Sequence, residues 1–169
     1  LMKIKFLGTC AYDYSPRLDT DLKDKFDLDA RRSSSMLIDG HILVDCGTHT
    51  PNALDIAGVC YDDITDIVIT HLHCDHFEPK NIEKIAKNRH TPLNLWLRED
   101  ASFLEISNVK INKMALYTKC ELPCGVRVTG MRANHDESAC PQHLLIEKDG
   151  KSIFYGCDGA WLLNTTYYH

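Results

Sequence analysis

A chain of 169 residues and 19.2 kDa, 44% apolar and 25% charged, suits one domain and can bury a core. That composition excludes a disordered polymer, and apolar runs as short as Ile67–Ile69 or Ile42–Val44 are far from the length of a bilayer-spanning helix. A net charge of −5 without a basic stripe disfavours nucleic acid as a partner, although it does not exclude it.

Met2, after Leu1, reads as the natural start, and no basic segment leads into a long apolar stretch, so no secretory signal is expected. Lys3–Leu7 alternates polar and apolar residues and predicts a strand ending at Gly8. A polar loop follows to about Ser34. Within it Asp19, Asp21, Asp24, Asp27 and Asp29 outnumber Lys23 and Lys25, a balance that would repel a phosphate backbone. The stretch lacks the glycine and closing glutamate of a calcium loop, so it reads as solvated surface. Met36–Ile38 and Ile42–Val44 flank Asp39-Gly40 and predict a hairpin. Pro51–Ala57 predicts a short helix, Ile64–Thr70 a buried strand, and Asn81–Asn88 a helix capped by Asn81. Further strands are predicted at Leu93–Leu97, Val109–Ile111, Met114–Thr118 and Val126–Met131. A second hairpin joins His143–Glu147 to Ser152–Tyr155 through Asp149-Gly150. The pattern gives an α/β (α+β) class with largely antiparallel sheets. With no repeat or low-complexity linker, residues 1–169 form one domain.

The densest chemistry is His71-Leu72-His73-Cys74-Asp75-His76, directly after a predicted strand. His71 and His73 alternate along extended chain and can face one ion; Asp75 and His76 follow as the chain turns and can face a second. Such ligands suit zinc first, with iron(II) or manganese as alternatives. Asp45, His135 and Asp158 each stand at or just beyond a strand end, where a sheet can aim them at one site. Cys46, Cys74 and Cys157 adjoin these residues, and strand alternation assigns them to the core, with a ligand role for one of them as the alternative. Cys120-x-x-x-Cys124 with Cys140-x-x-His143 has the spacing of a structural zinc site, against an ordinary turn at Leu122–Gly125. Of His41, His49 and His90, only His49 lies where it could reach a ligand at this cluster, and capping or surface roles suit all three better. The eight cysteines read as reduced thiols of a cytoplasmic protein, since a chain with this much core needs no disulfide framework.

His71–His76 with Asp45, His135 and Asp158 in order resembles the metallo-β-lactamase superfamily, over nearly all of the chain from Lys3–Thr9 to Asp158. Phe6-Leu7-Gly8-Thr9, Arg32-Ser33-Ser34-Ser35 and Val44-Asp45-Cys46-Gly47 are similar to its phosphodiesterase branch, which includes ribonuclease Z and the cyclic-phosphate phosphodiesterases of phosphonate breakdown. Tyr155-Gly156-Cys157-Asp158-Gly159 is closer to the latter. The resemblance implies an αββα sandwich with two divalent metal ions at one edge. His71, His73 and His135 would hold one ion, Asp75 and His76 the other, and Asp158 both; Asp45 would orient a ligand by a hydrogen bond. A hydroxide shared by the ions would then attack a small phosphodiester.

The superfamily also supplies a last histidine well downstream of the bridging aspartate, and His169 is too close in sequence for that role. The expectation is therefore a domain incomplete at its C-terminus, with activity expected of the parent protein rather than of these residues alone. An unfinished sandwich would expose apolar surface, which makes a homodimer conceivable. No cysteine beyond Cys10 lies in the first loop, so no additional structural zinc is expected there. A glyoxalase- or lactonase-like hydrolase is the alternative enzyme class, and a non-catalytic metal-binding module the alternative outside enzymes. The redox members place Glu where His73 stands, which disfavours them.

Overall fold

The computed structural model describes residues 1–11, 32–87, 89–103 and 105–160. The acidic stretch Asp19–Asp29 and His169 lie outside the described residues.

Strands β1 (Ile4–Gly8), β2 (Ser35–Ile38), β3 (Ile42–Val44), β4 (Asp66–Val68), β5 (Leu93–Arg98) and β6 (Val109–Met114) form one sheet in that order. β1, β2 and β3 pair antiparallel, whereas β3 through β6 run parallel. Strands β7 (Lys119–Glu121), β8 (Arg127–Arg132), β9 (Gln142–Lys148) and β10 (Lys151–Tyr155) form a second, wholly antiparallel sheet ordered β10-β9-β8-β7. Helices α1 (Thr50–Ile56) and α2 (Pro79–Ala86) lie in the β3–β4 and β4–β5 crossovers that parallel pairing requires.

The alternation of side chains decides how these layers stack. Leu37, Leu43, Ile67, Leu95 and Ile111 are register partners across the first sheet, and this row packs with Leu54 of α1 and Ile82, Ile85 and Ala86 of α2. The opposite row, Met36, Val44, Val68 and Trp96, packs against Val128, Leu144 and Ile146 of the second sheet. The first sheet is thus apolar on both faces, as a covered parallel sheet must be. Both sheets of the expected sandwich and one helical layer are present among the described residues. Ile4 and Phe6 on β1 and Phe154 on β10 are exposed.

The largely antiparallel pairing is as expected, with β3–β6 the parallel exception. Several local expectations are corrected. Met114–Thr118 is not a strand: Met114 closes β6, paired with Arg98, and Tyr117 turns with φ +60°. Asn81 does not cap α2; Glu78 does, accepting from Lys80 N at 3.3 Å ahead of Pro79. The strand expected over Ile64–Thr70 is confined to Asp66–Val68. The hairpin turn is as expected, with Asp39 at φ +51° and Gly40 at φ +81°. No helix among the described residues is long and apolar enough to cross a membrane.

Candidate metal centre

The C-terminal ends of β3 and β4 lie side by side, and that adjacency builds the site. Asp45 leaves β3 with its backbone N–H bonded to Val68 O at 2.9 Å, and Thr70-His71 leaves β4. The loop after His71 is then tied to the segment after Asp45. Cys46 N donates to His76 O at 2.8 Å, Glu78 N to Cys46 O at 2.9 Å, and Thr48 N to Cys74 O at 3.1 Å. Gly47 permits this approach, since a Cβ there would stand 1.7 Å from Asp75 O. Asn81, freed from capping, donates its amide to Gly47 O at 2.8 Å and Thr48 O at 3.1 Å.

The second sheet closes over the same edge. Gln142 N donates to Thr70 O at 2.9 Å, and its side-chain amide to Ile69 O at 2.9 Å. His135 follows β8 and Asp158 follows β10, joined where Ala160 N donates to Asn134 O at 3.1 Å. Asp45 and Asp158 both hold left-handed backbone, φ +62° and +49°, which aspartate tolerates better than most side chains.

Within this frame the ligating atoms of His71, His73 and His135 lie within 4.8 Å of one another, as do those of His71, Asp75 and His76, and of His76, Cys157 and Asp158. His73 Nδ1 and His135 Nε2 are 3.1 Å apart. Asp158 Oδ2 lies 3.7 Å from His71 Nε2 and 3.4 Å from His76 Nε2, between the two sets. Asp75 Oδ2 is 3.3 Å from His76 Nε2. All six residues expected as ligands are therefore assembled at one edge of the sandwich.

Hydrogen bonds behind the site fix the ring tautomers. Asp45 is fully buried and accepts from Thr70 N at 2.8 Å and from the Thr70 hydroxyl at 2.9 and 3.0 Å. It also faces His76 Nδ1 at 2.8 Å, so that nitrogen donates, and Nε2 offers a lone pair once the ring has given up its second proton. The Thr70 oxygen in turn accepts from His71 Nδ1 at 3.1 Å, leaving the His71 Nε2 lone pair directed forward. Both Nε2 atoms are buried and make no hydrogen bond.

The charges match this arrangement. Burial, helped by neighbouring His76, pushes His71 down to about 3, so its ring is neutral at pH 7. Burial disfavours a charged His76, but the carboxylates of Asp158, Asp45 and Asp75 outweigh it and push its pKa up. His76 holds the Asp158 carboxyl well below the usual range, against the effect of burial. The protonated His76 ring thus offsets the three carboxylates, a role that a bound cation would take over as the ring releases that proton.

Other sequence expectations fare differently. Cys120 packs towards the inter-sheet core, Cys124 is exposed, Cys140 packs towards the helix-side core, and His143 lies against Phe154 and Gly159. Among the described residues these four form no ligand group, so the structural zinc at Cys120–His143 is not assembled. Cys46 is buried as expected, but Cys74 is exposed and Cys157 is only partly buried. Both lie outside regular strands, where alternation no longer dictates direction. His49 Nδ1 is bonded with Ser33 Oγ at 2.9 Å, His41 Nδ1 lies 3.1 Å from Asp63 O, and His90 is exposed. Two participants were not singled out from sequence: Thr70 and Asp136, whose Oδ2 lies 3.4 Å from His73 Nε2. Their signal was adjacency, a hydroxyl before His71 and a carboxylate after His135.

Comparison with known proteins adds four similarities. A family model described as anti-Pycsar protein Apyc1 matches residues 31–96. Ribonuclease Z of Methanococcus maripaludis is 37% identical over 99 residues, covering 56% of this chain and 29% of that protein. The metallo-β-lactamase fold protein YhfI from Bacillus subtilis is similar with a TM-score of 0.73 at 14% identity, over 96% of this chain and 64% of YhfI. Zn(2+)-bound PqqB from Methylobacterium extorquens has a TM-score of 0.72 at 16% identity, over 98% of this chain and 68% of PqqB. The chain thus spans less than a third of its curated relative.

Proposed function

We propose that this chain, which has the metallo-β-lactamase fold, carries the dinuclear metal centre of a hydrolase acting on a small phosphodiester. The observation behind the reading is the pair of buried nitrogens that make no aligned hydrogen bond, His71 Nε2 and His76 Nε2, converging with Asp158 between them. Buried polar atoms left unpaired cost free energy unless a ligand satisfies them. His71, His73 and His135 would hold one divalent ion, Asp75 and His76 the second, and Asp158 both, zinc being the best match to imidazole and carboxylate donors. Bound, such ions would supply a water whose pKa is lowered to about 7 and would stabilise charge on phosphoryl oxygens.

The chain's own contribution is orientation. Asp45 and Thr70 hold the His76 and His71 rings in the tautomers that present Nε2 lone pairs, and Asp136 steadies His73. Likeness to a ribonuclease supports phosphodiester chemistry. The net charge of −5 favours a small substrate over a long polyanion. Eight free cysteines fit a reducing cytoplasm.

The test is a substrate panel with zinc-loaded protein: bis(p-nitrophenyl) phosphate, a thioester and a lactone. Turnover of the phosphodiester, abolished by His71→Ala, is expected. Hydrolysis of the thioester or lactone, with none of the phosphodiester, overturns the reading.

A further inference from the structure

Cys157 lies beyond the end of β10, next to Asp158, in a stretch where strand alternation no longer applies. Its sulfur shares with His76 and Asp158 a group of donor atoms all within 4.8 Å, and the thiol donates to Asp158 Oδ1 at 3.5 Å. A cysteine beside a carboxylate is not a site by itself. The independent observation is His76, whose fully buried Nε2 has no hydrogen-bond partner and faces the same place, 3.4 Å from Asp158 Oδ2. We propose that Cys157 is a thiolate ligand of the second metal ion, completing a four-donor set with Asp75, His76 and Asp158.

The inference rests on the proposed metal centre and changes what that centre prefers. Two carboxylates and one imidazole accept manganese or iron(II) as readily as zinc, whereas a thiolate selects softer ions, zinc or cobalt(II), over manganese. Four donors from this chain also satisfy a tetrahedral ion without a histidine from further downstream. On ligation the S–H bond breaks, the sulfur pair forms the bond to the ion, and the proton passes to solvent.

Cobalt(II) added to the metal-free chain, followed by absorption, tests this. The expected spectrum has visible d–d bands and a near-ultraviolet thiolate-to-cobalt band. The latter vanishes in Cys157→Ser, while the visible bands stay, and it persists in Cys74→Ser, which removes the exposed thiol nearby. Visible bands without the near-ultraviolet band, or one that survives Cys157→Ser, overturn the role of Cys157 and leave the centre standing. If no cobalt band appears at all, both fail. As a second readout in the unsubstituted chain, zinc is expected to protect Cys157 from iodoacetamide; equal alkylation with and without zinc contradicts the proposal.

Discussion

Asp45 touches no substrate-facing surface, yet the site depends on it. It is fully buried, and its carboxylate meets Thr70 at backbone and hydroxyl and His76 at Nδ1. Asp45→Asn keeps the shape but weakens the hold on the His76 tautomer, and zinc affinity should fall about 10–100-fold. Competition against a chromophoric chelator measures this; an unchanged affinity would remove Asp45 from the account. Gly47 makes a second residue-scale prediction. An added methyl would meet the Asp75 backbone at 1.7 Å, so Gly47→Ala must push that loop away. A loss of about 1–3 kcal/mol in urea unfolding and a weakened second ion are expected. Stability and metal content equal to the unsubstituted chain would contradict it.

At the scale of elements, the β2–β3 turn anchors one end of the molecule. Gly40 holds φ +81° with open space around its missing Cβ, so Gly40→Ala carries only a backbone penalty, about 1 kcal/mol by urea denaturation. Asp39 in the same turn accepts from Lys3 N at 2.6 Å and from Lys148 Nζ at 2.7 Å, tying it to β9. Burial would raise the Asp39 pKa, but Lys148 and the Lys3 N–H outweigh it and lower it. The folded value lies below the unfolded one, so this stabilisation is complete above about pH 4 and lost as pH falls through the lowered value. Asp39→Asn should therefore flatten the acid limb of stability against pH, measured by urea midpoints at successive pH values; an unchanged limb would contradict the pairing. Such turns were legible because Asp-Gly states its own conformation locally. Asn81 was misread because the demand of Gly47 and Thr48 for donors is non-local, and Met114 because its pairing with Arg98 lies far along the chain. The His71–His76 cluster was legible since one strand end presents it whole, whereas the direction of the Cys157 thiol was not, because it follows from how β10 ends.

At the scale of the whole molecule, the described residues form two apolar layers meeting a polar edge. One core lies between the helices and the first sheet, the other between the sheets, and the ligand loops all leave the same rim. The parallel order β3-β4-β5-β6 could not be read from apolar runs alone, yet it brings Asp45 beside His71. Ions joining two loops of the first sheet to two of the second should stabilise the folded state as a unit. At a hundredfold excess over the dissociation constant, one ion adds about 2.7 kcal/mol, which is roughly 5–10 °C in Tm for a chain of this size. Chelator should remove that increment, and a Tm indifferent to zinc and chelator would place the ions outside the fold's energetics.

The central claim is a centre for two ions, and metal content per chain tests it most directly. Protein purified without chelator, analysed for bound elements beside His73→Ala, is predicted to carry about two divalent ions, with fewer in the variant. No bound metal, or a content that His73→Ala leaves unchanged, would contradict it.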